Sequence, residues 1–204
     1  MDGWKKALKD LWHFIWEDDS IWSWLVNLVL AFVLIKFIVY PGLGFLLSTT
    51  HPVVAVVSES MEHTSDFDAW WDKAGPWYSD NSIKKEDFQK FPLRNGFDKG
   101  DIMVLKGKAP ANIEIGDVIV FWSAKKDPII HRVVKKWQEN GIYYFETKGD
   151  NNPNTLKTPS VDETRISQEQ IVGNAVARIP LLGWIKIIAV KIWDFILGFV
   201  LQKG

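Results

Sequence analysis

The sequence predicts a mainly β protein: an antiparallel β domain held between an amino-terminal transmembrane helix and a carboxyl-terminal apolar helix. Three observations carry that class. The run from Ile21 to Tyr40 is 20 residues long and holds one charge, Lys36, and one amide, Asn27; at about 1.5 Å of rise per residue it crosses the roughly 30 Å hydrocarbon layer. Between residues 49 and 179, valine-rich or alternating runs are parted by Gly-Asp, Asn-Gly and Asp-Pro signals, the pattern of strands and turns. A second apolar stretch runs from Ile179 to Leu201.

Residues 1–20 come first. Trp4, Leu8, Leu11, Trp12 and Ile15 alternate at helical spacing with Lys5, Lys6, Lys9 and Asp10, which predicts an amphipathic helix lying in the bilayer interface. The anchor occupies 21–48, where Pro41, Gly42 and Gly44 loosen its end and Lys36 sits close enough to that end to snorkel toward the headgroups. The run is too long for a cleavable signal peptide and no small-residue cleavage pattern follows it, so a permanent anchor is expected. Three lysines precede the anchor, whereas no Lys or Arg falls between Thr49 and Asp72. That count, set against Glu17, Asp18 and Asp19, puts the amino terminus in the cytoplasm and everything after Ser48 on the extracytoplasmic side of the cell membrane.

The β domain spans 49–179, with strands expected at Val53 to Val57, Ile102 to Leu105, Val118 to Trp122, Ile129 to Trp137, Ile142 to Thr147 and Ile171 to Ile179. KGDIMVL and IGDVIVF repeat a Gly-Asp turn before an apolar strand, so Asp101 and Asp117 are read as turn residues. An insertion rich in aromatic and charged residues occupies 66–96, with a short helix expected at Ser82 to Phe91, started by Ser82, and with Trp70, Trp71, Trp77 and Tyr78 packing beneath it. In the tail, 180–204, Lys186, Lys191 and Asp194 fall within about 140° on a helical wheel and leave an apolar face. Spanning, with Lys191 and Asp194 paired, is favoured over an interfacial position.

Composition narrows the function. A net charge of −1 with scattered lysines supplies no field for nucleic acid, and the absence of cysteine removes disulfides, thiolate nucleophiles and Cys-based zinc sites. The 12 tryptophans crowd toward the ends, where amphipathic rings favour a membrane boundary. Within the β domain, PVVAVVSESMEHT ends a strand on two hydroxyls, Ser58 and Ser60. Serines in such places ordinarily hydrogen-bond their own turn. A serine becomes a nucleophile at neutral pH only beside a base, and that base needs a group to fix its tautomer. His131 in IIHRVV and the acid in KGDNNPN, Asp150, supply those residue types in the order Ser, His, Asp. Arg132, the next residue on the strand, is expected on the opposite sheet face, paired with an acid there.

SESM, GDVIVF, HRVV and TKGDNNP, in that order between an apolar anchor and an apolar tail, resemble the type I signal peptidases of the archaeal and endoplasmic-reticulum kind. The resemblance covers about Val53 to Ile179. It implies a mostly β catalytic domain with its active site near the membrane surface, a serine endopeptidase activity that cleaves signal peptides after small side chains, no cofactor, precursor proteins as substrates and association with the secretion translocon. It implies Ser60 as nucleophile, His131 as base where the bacterial branch has lysine, and the Ser58 hydroxyl with the Ser60 backbone N–H as the oxyanion hole.

The chain departs from the family pattern twice. His63 stands where proline is usual, in a turn three residues from Ser60, and is the weaker candidate for base. The family's second acid, about six residues past the GDNN box, falls here on Leu156; an insertion at Asn154 to Ser160 would bring Asp162 to that role with Asp150 as a supporting acceptor, and the orienting acid is Asp162 or, in second place, Asp150. A metal site joining His51, His63, His131 and Asp150 lacks the close ligand spacing that zinc favours. The competing functional class is a catalytically inactive membrane-tethered scaffold or chaperone subunit. Keeping Ser60, His131 and a nearby acid together argues against it. Soluble autoprotease regulators with a lysine base fit neither the histidine nor the anchor.

Overall fold

The computed structural model describes residues 3–185 and 187–192. They divide into two compact units, 1–46 and 47–204.

In the first unit, helix α1 (Gly3–Trp16) carries the expected stripe, with Trp4, Leu8, Leu11 and Trp12 all exposed. Helix α2 (Ile21–Leu34) starts on Ser20, whose hydroxyl accepts from Ser23 N, and runs through a π-helical turn at Ile35–Val39 into α3 (Tyr40–Leu47). Ile21–Leu47 is thus one continuous helix of 27 residues, long and apolar enough to cross a membrane. Its polar side chains are used locally: Ser23 Oγ donates to Phe14 O at 2.6 Å and Asn27 Nδ2 to Ile15 O at 2.9 Å. Both acceptors are end carbonyls that α1 cannot pair within itself.

The second unit is built on a seven-stranded sheet in the order β1-β2-β9-β3-β4-β5-β8, every neighbour antiparallel. Its strands are β1 (Val53–Ala55), β2 (Ile102–Lys106), β3 (Val118–Phe121), β4 (Ile129–Glu139), β5 (Ile142–Lys148), β8 (Ile166–Ser167) and β9 (Ile171–Ile179), while β6 (Lys157–Thr158) and β7 (Val161–Asp162) form a separate small hairpin. Each of the six strand runs read from the sequence forms a strand. β4 and β5 turn at Asn140 and Gly141, with φ of 50° and 82°, the left-handed pair that a tight hairpin turn requires. β3 is buried on both faces. Val118 and Val120 pack with Met61, Phe97, Met103 and Leu105, and Ile119 and Phe121 with Val133, Phe145 and Ile166. The period-2 alternation therefore feeds two apolar layers, and each side chain so buried contributes about 1.5–3 kcal/mol.

The insertion differs from expectation. Its main helix is α4 (Phe67–Asp80), capped by Asp66, whose carboxylate accepts from Ala69 N at 2.9 Å. α4 runs on through Gly75 and Pro76, both of low helix propensity, and the Trp71 indole fills the space a side chain at Gly75 would need. Helix α5 is only Lys85–Phe88, and Ser82, at φ 65°, lies in the turn before it rather than capping it. Trp70, Trp71 and Tyr78 are buried with Ile83, Phe88 and Val134. Val134 sits at the register shift in β4, and this bulge turns it toward the insertion.

Asp101 and Asp117 are turn acceptors: Asp101 takes Asp98 N at 2.9 Å and Leu181 N at 3.0 Å, and Asp117 takes Glu114 N at 2.8 Å. After β9, residues 184–185 and 187–192 are helical. The expected spanning of 180–201, with its Lys191–Asp194 pair, extends beyond the described residues.

Candidate active site

Ser60 follows β1 by five residues in a tight turn, and His131 is the third residue of β4, opposite Ile119 of β3. Pairing across the sheet brings them together. His131 Nε2 lies 2.8 Å from Ser60 Oγ, and Ser58 Oγ lies 3.1 Å from the same hydroxyl.

The other ring nitrogen meets neither acid expected from the sequence. His131 Nδ1 bonds Glu163 Oε1. Glu163 is fully buried just after β7, and its contacts fix it from every side: Thr147 Oγ1 donates to Oε1 at 3.1 Å, Leu156 N donates to Oε2 at 2.8 Å, and its backbone pairs with Thr147 and Leu156. The assignment of Asp162 is therefore corrected by one residue. Asp162 is exposed and accepts from Thr164 N and Thr164 Oγ1 at 3.0 and 2.6 Å, which holds its carboxyl below the ordinary range. Adjacent residues of an extended segment face opposite ways, so only one of the two acids can reach the imidazole.

Asp150 stands behind the site, without contact to His131. Arg132 grips it through Nε and Nη2 at 2.9 and 2.7 Å, Tyr78 OH donates at 2.8 Å and His63 Nε2 approaches at 3.1 Å. Burial opposes its ionisation, but the attraction of Arg132 and the bonds from His63 and Arg132 overcome that and hold the carboxyl well below the usual range. The remaining Arg132 donors reach the carbonyls of Pro92, Leu93 and Gly116. Arg132 thus pairs with an acid on the face away from His131. His63 stacks on Trp70, ring centroids 3.8 Å apart, and its bond to Asp150 makes it part of this support.

The support reaches Ser60 through the 149–152 turn. Asn151 N donates to Ser60 O at 2.8 Å, Asn151 Nδ2 to Glu59 O at 3.1 Å, and Asp150 N to Met61 Sδ at 3.3 Å. Gly149 is required there, since a Cβ would lie 2.8 Å from both His131 Nε2 and Ser60 O. Lys148, whose ammonium rests over Trp77 and Tyr78, has its pKa pushed down by burial to about 8. Gly149, Thr147 and Glu163 were not singled out from the sequence. The signal for Glu163 was the acidic pair in VDETRIS, which spacing alone does not resolve.

A cleft of about 450 Å³ opens over Ser60, lined by Ala55, Val57, Ser58, Ile129, His131 and Leu156 among others. It adjoins β1, which among the described residues pairs only with β2 and leaves its other edge free.

No family model matches the chain. It is similar to proteins named signal peptidase complex catalytic subunit SEC11: 26% identical over 155 residues to that of Fusarium vanettenii, covering 74% of this chain and 72% of the relative; 28% over 156 residues to that of Eremothecium gossypii, 74% of each; and 26% over 166 residues to that of Sclerotinia sclerotiorum, 78% of each. Over about three quarters of its length the chain thus resembles signal peptidase catalytic subunits, and it has an antiparallel sheet and an amino-terminal apolar helix.

Proposed function

We propose that this chain is a membrane-bound serine endopeptidase that removes signal peptides from exported precursors. The observation that carries the reading is the line Ser60 Oγ, His131 Nε2, His131 Nδ1, Glu163, assembled from three distant segments. His131 takes the Ser60 proton as the oxygen attacks the scissile carbonyl, then returns it to the leaving amine; water hydrolyses the resulting acyl-enzyme. Glu163 keeps the Nδ1 proton in place and balances the imidazolium charge. The Ser58 hydroxyl and the Ser60 N–H face the developing oxyanion, where one donor is worth about 2.7–4 kcal/mol.

The substrate adds as an extended segment along the free edge of β1, with its small side chains in the cleft beside Ala55 and Val57. The 27-residue apolar helix supplies the tether. In this reading the amino terminus is cytoplasmic, the β domain extracytoplasmic at the cell membrane, and precursors arrive through the secretion translocon; the lysine count before the anchor supports that orientation. The signal peptidase complex in the relatives' names supports association with further subunits.

Ser60→Ala tests the reading on a precursor presented in liposomes. Cleavage is expected to fall by about 10³-fold or more. Processing at the wild-type rate would discard it.

A further inference from the structure

A second recess, of about 230 Å³, opens beside the cleft that holds Ser60, and Asn152 borders both. Trp70, Lys73 and Trp77 of the insertion form one wall, and Lys148 at the end of β5 forms another. The Lys148 ammonium lies 5.0 and 4.8 Å from the ring centres of Trp77 and Tyr78 and donates to the carbonyls of Gly149 and Asp150 at 3.0 and 3.4 Å. Lys73 is exposed on α4, and among the described residues no carboxylate lies within 4.0 Å of its ammonium. Asp150 also borders the recess, but its carboxylate is fully buried and Arg132, Tyr78 and His63 occupy its oxygens. The free charge facing this space is positive.

Its position relative to the chemistry gives the recess a role. A leaving amine must sit where His131 Nε2 can return the proton. On the side of the 149–152 turn, His131 and Asn152 line the same cleft. Chain leaving His131 on that side passes Asn152, the residue shared with the second recess. On the edge-strand placement proposed above, the acyl half lies along Ala55, Val57 and Ser58 of that cleft.

On the proteolytic reading above, we propose that this recess receives the first residues of the released mature chain and favours acidic side chains at the second or third position after the cut. Lys73 supplies the accessible cation, Trp70 and Trp77 the apolar walls, and the insertion is thereby a specificity element as well as a cover for the sheet.

Paired peptide substrates that differ only in Asp or Lys at those positions test this with the full-length chain in detergent. Wild type is expected to favour Asp by about five-fold in kcat/KM, and Lys73→Glu to abolish or invert that ratio. The same Asp/Lys exchange placed before the cut should be insensitive to Lys73→Glu. Equal wild-type rates for Asp and Lys, or a ratio untouched by Lys73→Glu, overturn the recess assignment and leave the proteolysis standing. A wild-type chain that cuts none of the peptides overturns the proteolytic reading itself.

Discussion

Replacing Glu163 by glutamine keeps the side chain's volume and removes its charge, in the position where the sequence pointed to a neighbour. The carboxylate serves three donors: His131 Nδ1 and Thr147 Oγ1 at Oε1, and Leu156 N at Oε2. An amide has only one acceptor oxygen. If that oxygen faces His131, the amide NH₂ meets the Leu156 N–H, and a buried donor left unpaired costs about 1–3 kcal/mol. If the group turns over, NH₂ faces His131 Nδ1, which must then accept. The ring proton moves to Nε2, pointing at Ser60, and the imidazole can no longer take the hydroxyl proton.

The charge itself sets the size of the effect. Two unit charges about 4 Å apart attract by about 4 kcal/mol at an effective dielectric constant of about 20, and about 1.36 kcal/mol corresponds to ten-fold in rate. Full loss of the counter-charge would therefore slow the reaction about 10³-fold, and with the amide dipole recovering part of it a fall of about 10²–10³ in kcat is expected. The assay is kcat and KM on a fluorogenic signal-peptide substrate, with Asp162→Asn as the comparison. Asp162 is exposed and its carboxylate hydrogen-bonds only Thr164 among the described residues, so its variant should remain within about two-fold of wild type. A Glu163→Gln enzyme that folds and keeps more than about a third of its kcat would refute the assignment.

Two further outcomes follow from the support and from the oxyanion donors. Asp150→Asn leaves Arg132 buried without a carboxylate, so the unfolding free energy should drop by about 3–5 kcal/mol in urea titration, and a loss under about 1 kcal/mol would contradict the ion-pair account. Because folding depresses the Asp150 pKa, its stabilisation is complete above the unfolded value of about 3.9 and fades as pH falls toward the folded value; the variant should show a flatter acid limb below about pH 4. Ser58→Ala removes a hydroxyl 3.1 Å from Ser60 Oγ. It should lower kcat by about 10²–10³-fold with KM nearly unchanged, and an unaltered kcat would take Ser58 out of the oxyanion hole.

Much of the frame was legible because it depends on local pattern. The apolar run became the helix Ile21–Leu47, each valine-rich run became a strand, and the Asn140-Gly141 signal became the β4–β5 turn. The insertion was less legible: Gly75 and Pro76 are of low helix propensity, and α4 persists because Trp70, Trp71 and Tyr78 bury themselves against Phe88 and Val134. Packing overrode propensity there.

By itself the sequence determined the long apolar helix, the strand set and the boxes bearing Ser60 and His131, all of which are properties of residues near one another in the chain. Tertiary structure decided which acid stands behind the imidazole. Asp162 and Glu163 are equivalent in composition and adjacent in sequence, but successive residues of an extended chain face opposite sides, and pairing with Thr147 and Leu156 turns Glu163 inward and leaves Asp162 in solvent. Asp150 was likewise claimed by Arg132 because β4 sends consecutive side chains to opposite faces, His131 toward Ser60 and Arg132 toward the insertion.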